Sequence, residues 1–262
     1  GKNIRKIFAM GKVVYYVVYL AASIIGAVVA ARSFQWMWAQ TVLFMAAAFL
    51  VAHHYMTGRG DPPARVTERV ALRAGIQALR STRALQWLAT AMLIFGVTAL
   101  TNHFWSPYFK TFVGQARLGL VWAIMPIFGL LGATLVARSR AAVGNEWHLI
   151  TLSLCLVAIG FLVMGAPFGL WIALGGFALL QIGFGMFGPS TESFLQHRVE
   201  SSYRATFSSI QSLVGAAGFG LASLAAGLAL TGKASTPESI AWVWQLGGGS
   251  MVVGAVVLLA VK

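Results

Sequence analysis

Side chains able to do chemistry are few in this chain, and most stand at the ends of apolar runs. Only six carboxylates occur in 262 residues. Asp61, Glu68, Glu146, Glu200 and Glu238 fall between apolar runs, and Glu192 falls at the edge of one. A single aspartate excludes an aspartate-rich diphosphate site, and no Gly-x-Ser-x-Gly nucleophile elbow is present. Nor is there a His-Glu-x-x-His zinc motif. His53, His54, His103, His148 and His197 all fall near run ends. His103 belongs to one side and the other four to the opposite side, so haem ligation across facing helices is not supported. His53 and His54 as a metal pair compete with the commoner reading of solvated interface histidines. Cys155 is the only cysteine and cannot pair within the chain. No catalytic residue, metal site or cofactor is assigned.

Polar residues inside the apolar runs carry more information, because burying them in hydrocarbon is costly. Gln181 stands mid-run between apolar turns, with Gly183 and Gly185 beside it. Its amide needs partners, and these are either a neighbouring helix or a solute. Thr98 and Asn102 are four apart and share a helical face, with Thr101 and His103 adjacent. This face either borders a cavity or is solvated at an interface. Tyr15 and Tyr19 also share a face, as a cavity wall or as packing. Gln211 lies with Ser208 near the start of another run, where Ser208 and Ser212 can bond the carbonyl four residues back.

The elements that position these residues follow from composition. At 58% hydrophobic and 10% charged, the chain has too little charge to coat a water-facing surface. Its mean hydropathy is +0.79. A bilayer core of about 30 Å is crossed by roughly 20 apolar helical residues. That length predicts eight spans, near Val13–Ala31, Trp36–Met56, Gln86–Trp105, Leu118–Ala137, Leu149–Ala166, Leu170–Thr191, Ala205–Leu230 and Ile240–Val261. Helices are required, since lipid leaves backbone groups no outside partner, and no run alternates as a barrel strand would. Fifteen of the 19 lysines and arginines fall on the side of the two termini, against Arg32, Lys110, Arg117 and Lys233 opposite. This asymmetry places both termini in the cytoplasm. The net charge of +13 then needs no nucleic-acid partner. Trp36, Trp38, Trp105, Tyr108 and Trp242 are expected as interfacial anchors at the outer ends.

The segment 57–85 is the long connection. Pro62 and Pro63 open it, and Arg65, Arg69 and Arg73 then recur every four residues among apolar positions. The spacing gathers them on one face. The helix either lies on anionic lipid or links two bundles. Pro126, with Gly129 and Gly132, predicts a kink in the fourth span. Gly215, Gly218, Gly220 and Gly227 have the spacing of close helix packing, and Gly247, Gly248 and Gly249 permit contact or bending.

Several stretches resemble one transporter family. Gly188-Pro189, Phe194-Leu195-Gln196 and Arg204-Ala205-Thr206 with Ser208, Ser209, Ser212 and Leu213 resemble the cytoplasmic approach to the eleventh helix of the major facilitator superfamily. Trp105-Ser106-Pro107-Tyr108-Phe109 with Gly114 is similar to the outer end of its seventh helix. Gly129-Leu130-Leu131-Gly132 running into Arg138 and Arg140 is similar to the C-terminal copy of its loop signature, with Ala137 at the usual acidic position. The resemblance implies an all-α membrane protein whose eight spans match helices five to twelve. Residues 1–56 would then be the last two helices of an N-terminal bundle, 57–85 the inter-bundle loop, and 86–262 the C-terminal six-helix bundle. Gly1 in place of Met and a basic start running into a span lead to the expectation of a chain lacking its first four helices.

The function implied is secondary transport of a small solute by alternating access, with a coupling proton or ion as a possible partner and no cofactor. Residence in the plasma membrane, the inner membrane of a bacterium, is implied as well. Gln181, Thr98, Asn102, Tyr19 and Gln211 become the expected solute-binding residues. Pro126, Arg138, Arg140, Glu192 and Arg204 become the expected gating or structural residues, with Glu192 paired to Arg198 or Arg204. No carboxylate falls at a span centre, so a coupling carboxylate is expected outside this chain. Ala27 follows Gly26 where drug–proton antiporters of the family carry proline, which weighs against antiport. An intramembrane enzyme and a non-transporting scaffold are the competing classes. A chemical product would favour the enzyme, and a saturable solute flux would exclude both.

Overall fold

The computed structural model describes residues 2–32, 34–56, 68–139, 146–199, 203–232 and 236–261. Every regular element among them is helical: α1 (Lys2–Arg32), α2 (Phe34–Met56), α3 (Glu68–Ser81), α4 (Arg83–Phe95), α5 (Ala99–Val113), α6 (Leu118–Trp122), α7 (Ile124–Arg138), α8 (Glu146–Met164), α9 (Leu170–Arg198), α10 (Arg204–Leu230) and α11 (Pro237–Val261). A 3₁₀ turn, Gly96–Thr98, joins α4 to α5 within one apolar span, Arg83–Val113. Seven helical stretches are long and apolar enough to cross a membrane. The expected span at Trp36–Met56 falls in α2, whose described apolar stretch, Thr41–His54, is shorter than a crossing needs.

The breaks have local causes. Pro126 has no N–H to give the Trp122 carbonyl, and α6 ends at Trp122 while α7 starts at Ile124. Between α8 and α9 the chain turns at Gly169, whose φ of 84° suits glycine. The long basic segment becomes helix α3 from Glu68, and its Gly75 backs onto Ile210 and Thr206 of α10. Arg73 and Arg80 point away from that contact and are exposed. Arg65 lies outside the described residues, and nothing is described of the Arg69 side chain.

Helix α9 is the centre of the bundle, packed on α8, α7 and α1, while α11 packs on α8 and α10 on α4. Lipid gives no hydrophobic drive between helices, so close backbone approach has to supply the contact. Gly160 of α8 and Gly176 of α9 face each other's carbonyls, and Gly132 of α7 faces the Ile182 carbonyl of α9. Only one glycine of the expected α10 row is used this way. Gly218 lies against Leu93 and Gly96, whereas Gly220 and Gly227 face open space. In α11, Gly247 meets Leu100 and Gly248 meets Leu162 and Ala158, so contact is their role.

The core is aromatic, with Trp244, Phe109, Phe161, Phe177 and Phe194 fully buried. Its polar groups tie helices together. Trp87 Nε1 donates to the Leu258 carbonyl at 2.9 Å, and Gln245 Nε2 donates to that of Gly165 at 2.8 Å. Tyr108, expected as an interfacial anchor, is instead buried, its hydroxyl donating to the Met164 carbonyl at 2.6 Å. Trp36 and Trp242 are exposed as anchors should be, Trp105 packs on Trp122 at 4.6 Å, and nothing is described of the Trp38 side chain.

Candidate functional site

Helix α1 packs on α7 and α9, with Ala9 and Tyr16 buried in the contact. Tyr16 is buried with its ring seated in the notch left by Gly129 of α7. That contact sets the rotation of α1, and Lys12, Tyr15 and Tyr19 follow at helical spacing on the adjoining face. Lys12 lies over Gly188 of α9, where an added Cβ would stand 3.2 Å from its Cε and 3.9 Å from its Nζ. The Lys12 ammonium also sits 4.8 Å from the centroid of the Tyr15 ring. One turn beyond Gly188 stands Glu192, half-buried.

These groups line a cavity of about 580 Å³ between α1, α4 and α9. Apart from Thr191 its other walls are mainly apolar, with Phe8, Met92, Phe95 and Phe187 among them. Phe95 and Phe187 stack at 3.7 Å with their planes 1° apart. Tyr15 continues the wall by stacking on Tyr19 at 5.8 Å, and Tyr19 meets the edge of Trp122 at 6.1 Å. A cleft therefore joins one cation and one anion through aromatic surface. Among the described residues Glu192 makes no ion pair, with Lys12 or with any arginine. Its expected partners are engaged elsewhere.

Arg204 donates from Nε to the Val199 carbonyl at 3.0 Å and from Nη2 to the Gln196 carbonyl at 3.2 Å. It closes the end of α9, whose last carbonyls have no partner in the helix. Arg198 belongs to a cluster missed in the sequence. Glu146, expected in a loop, opens α8 with 1% of its side chain exposed. His197 Nδ1 lies 2.9 Å from its Oε1, Arg198 Nη1 lies 3.6 Å from Oε2, and Ser193 Oγ lies 3.4 Å from Oε1. Arg198 also stacks its guanidinium 3.8 Å over Phe194. His197, read in the sequence only as standing near a run end, thus lies against a buried carboxylate. Two basic residues ending one span and an acid opening its neighbour could have suggested the cluster, since antiparallel helices bring those ends together. The role of Lys12 was also missed, although its spacing from Tyr15 and Tyr19 places all three along one side of α1.

The other expected site residues scatter. Gln181 is 2% exposed and its Nε2 has no hydrogen-bond partner. It shares a face of α9 with Gly188 and Glu192 by spacing, but it does not line the cavity. Gln211 is likewise buried, with Nε2 unpartnered. Thr98 is buried and its hydroxyl donates to the Phe95 carbonyl at 2.6 Å, inside its own turn. Asn102 is exposed on α5, and neighbouring His103 reaches Ser223 of α10, Nε2 to Oγ 3.1 Å. Thr101 is fully buried with its hydroxyl unpartnered. Arg138 is exposed at the end of α7, and Arg140 lies outside the described residues. No group of three or more His, Cys, Asp or Glu among the described residues is placed to hold a metal ion.

The cleft can bind charge and apolar surface at once, and its lining holds neither histidine nor cysteine. Neither the curated proteins nor the solved structures yield a match to this chain. The family model described as Major Facilitator Superfamily matches residues 5–223, from the start of α1 into α10 and well over half of the chain. This protein is an integral membrane protein of many apolar helices, and it belongs to the major facilitator superfamily of membrane transporters.

Proposed function

We propose that this chain acts in secondary transport of a small solute by alternating access, and that the cleft between α1 and α9 is part of the solute path. In this reading α1 and α2 correspond to the fifth and sixth helices of the family's twelve-helix arrangement. Helix α3 belongs to the inter-bundle loop, and α4 to α11 form the C-terminal six-helix bundle. All eight apolar segments cross the bilayer, α2 included, with both termini on the cytoplasmic side of the plasma membrane. The seam where Tyr16 seats on Gly129 is the surface across which the bundles rock. Arg204, Glu146 and Arg198 steady the basic end of the six-helix bundle. Tyr19 extends the wall of the path. Gln181 and Gln211, buried with unpartnered amide nitrogens, offer donors once the seam opens, and Thr98 and Asn102 line the same route further along. A coupling proton or ion accompanies the solute.

The observation that carries this reading is the pair of opposite charges, not in contact, within the cavity between α1, α4 and α9. Half-exposed, the two ions keep part of the hydration that a dry packing interface would take from them. A water-lined path retains it. The test is alkylation of single cysteines in a Cys155→Ser chain, in sealed vesicles. Gly11→Cys, exposed in the cleft with open space at its Cβ, is expected to react with a membrane-impermeant maleimide from one side only. Leu152→Cys, on the exposed apolar face of α8, is expected to stay unreactive. Equal reactivity at the two positions would refute the path.

A further inference from the structure

We infer that the solute held in this cleft is a zwitterion with an apolar body, by class an amino acid or a short peptide, with its carboxylate on Lys12 and its ammonium on Glu192. The inference rests on the transport reading and goes beyond it by naming the chemistry recognised. Lys12 and Glu192 face one cavity without forming an ion pair, so each retains capacity for a charged partner. Instead, the Lys12 ammonium stands over Tyr15, and the missing Cβ at Gly188 lets the Lys12 side chain lie against α9. The charges of the site sum to zero. A solute of net charge would cancel one of them and leave the other half-buried without a partner, which is unfavourable. A zwitterion satisfies both through charge-assisted hydrogen bonds.

The remaining walls choose the body of the solute. Met92, Phe95 and Phe187 offer apolar and aromatic surface on the side facing Lys12. A volume near 580 Å³ suits a molecule from amino-acid to small-peptide size. A sugar would leave that aromatic surface and both charges poorly matched. A simple anion or cation would be opposed by the residue of like charge.

The test uses the full chain in lipid nanodiscs, with Gly11→Cys as reporter in the Cys155→Ser background and its alkylation rate as readout. The probes are phenylalanine and alanyl-phenylalanine as zwitterions, phenylalaninamide as the cation and N-acetylphenylalanine as the anion. At least one zwitterion is expected to protect the reporter at concentrations about tenfold or more below both singly charged analogues. In the near-isosteric variants, Lys12→Gln should abolish the advantage over the amide, and Glu192→Gln the advantage over the N-acetyl form. Should either variant fail to fold, the order of protection in the parent chain still decides. A reactive reporter protected equally by a singly charged analogue, or by no zwitterion, overturns the solute class while leaving the path in place. A reporter that never reacts in the folded protein overturns the path itself, and the inference with it.

Discussion

Gly175 and Gly176 are neighbours in α9, yet a methyl group at each should have opposite consequences. An added Cβ at Gly176 would stand 2.7 Å from the Gly160 carbonyl oxygen and 2.7 Å from the Met164 amide of α8, whereas Gly175 has nothing within 4 Å. Ordinary contact begins near 3.4 Å, so Gly176→Ala forces α8 and α9 apart by about 0.7 Å, which a close-packed seam cannot absorb. A gap of that size forfeits about a third of each atom-pair contact of about 0.15 kcal/mol. If the seam loses contact over as many atom pairs as one buried leucine makes, about 50, the cost is about 2.5 kcal/mol, within the range of measured overpacking. Gly175→Ala carries the same gain in helix propensity, up to about 1 kcal/mol, with no clash. Unfolding in detergent micelles, followed by loss of ellipticity and of the near-ultraviolet aromatic signal, measures both. Gly176→Ala should unfold earlier than the parent chain, and Gly175→Ala no earlier. Equal losses at the two positions would show that α8 and α9 do not meet at Gly160 and Gly176.

The Glu146 cluster gives an asymmetric pair of variants. Arg198→Ala leaves the carboxylate, 1% exposed, with only His197 and the Ser193 hydroxyl and should cost about 3–5 kcal/mol. Glu146→Gln should cost less, since His197 and Arg198 are 16% and 21% exposed and can turn to water; denaturant midpoints would rank the two. Arg204→Lys should lose most of the stability lost by Arg204→Ala, because one ammonium cannot span the Val199 and Gln196 carbonyls as the guanidinium does. Trp87→Phe keeps the aromatic packing but leaves the buried Leu258 carbonyl without its donor, and should cost about 1–3 kcal/mol in the same unfolding assay.

Legibility differed by residue for a physical reason in each case. Pro126 could be read, because a missing N–H perturbs its own helix wherever that helix packs. Tyr108 could not: its place near a run end suits an anchor, and only the Met164 carbonyl of another helix makes it a core residue. Thr98 looked available for a solute because its spacing with Asn102 is visible in the chain, while the bond to Phe95 depends on the 3₁₀ turn at that point. Glycine spacing in α10 was equally visible at Gly218, Gly220 and Gly227, but only Gly218 faces a neighbour.

By itself the sequence determined the class of environment, the helical content, the approximate places of most of the apolar spans and a resemblance that the family match confirms. These are properties of single segments, since crossing lipid depends on length, hydropathy and the satisfaction of each helix's own backbone. Tertiary structure decided the charges. Glu146 gained His197 and Arg198, Arg204 turned to the end of α9, and Glu192 was left facing Lys12 across a cleft. Those outcomes depend on how each helix is rotated and which neighbour it meets, and contacts as local as Tyr16 on Gly129 set that rotation.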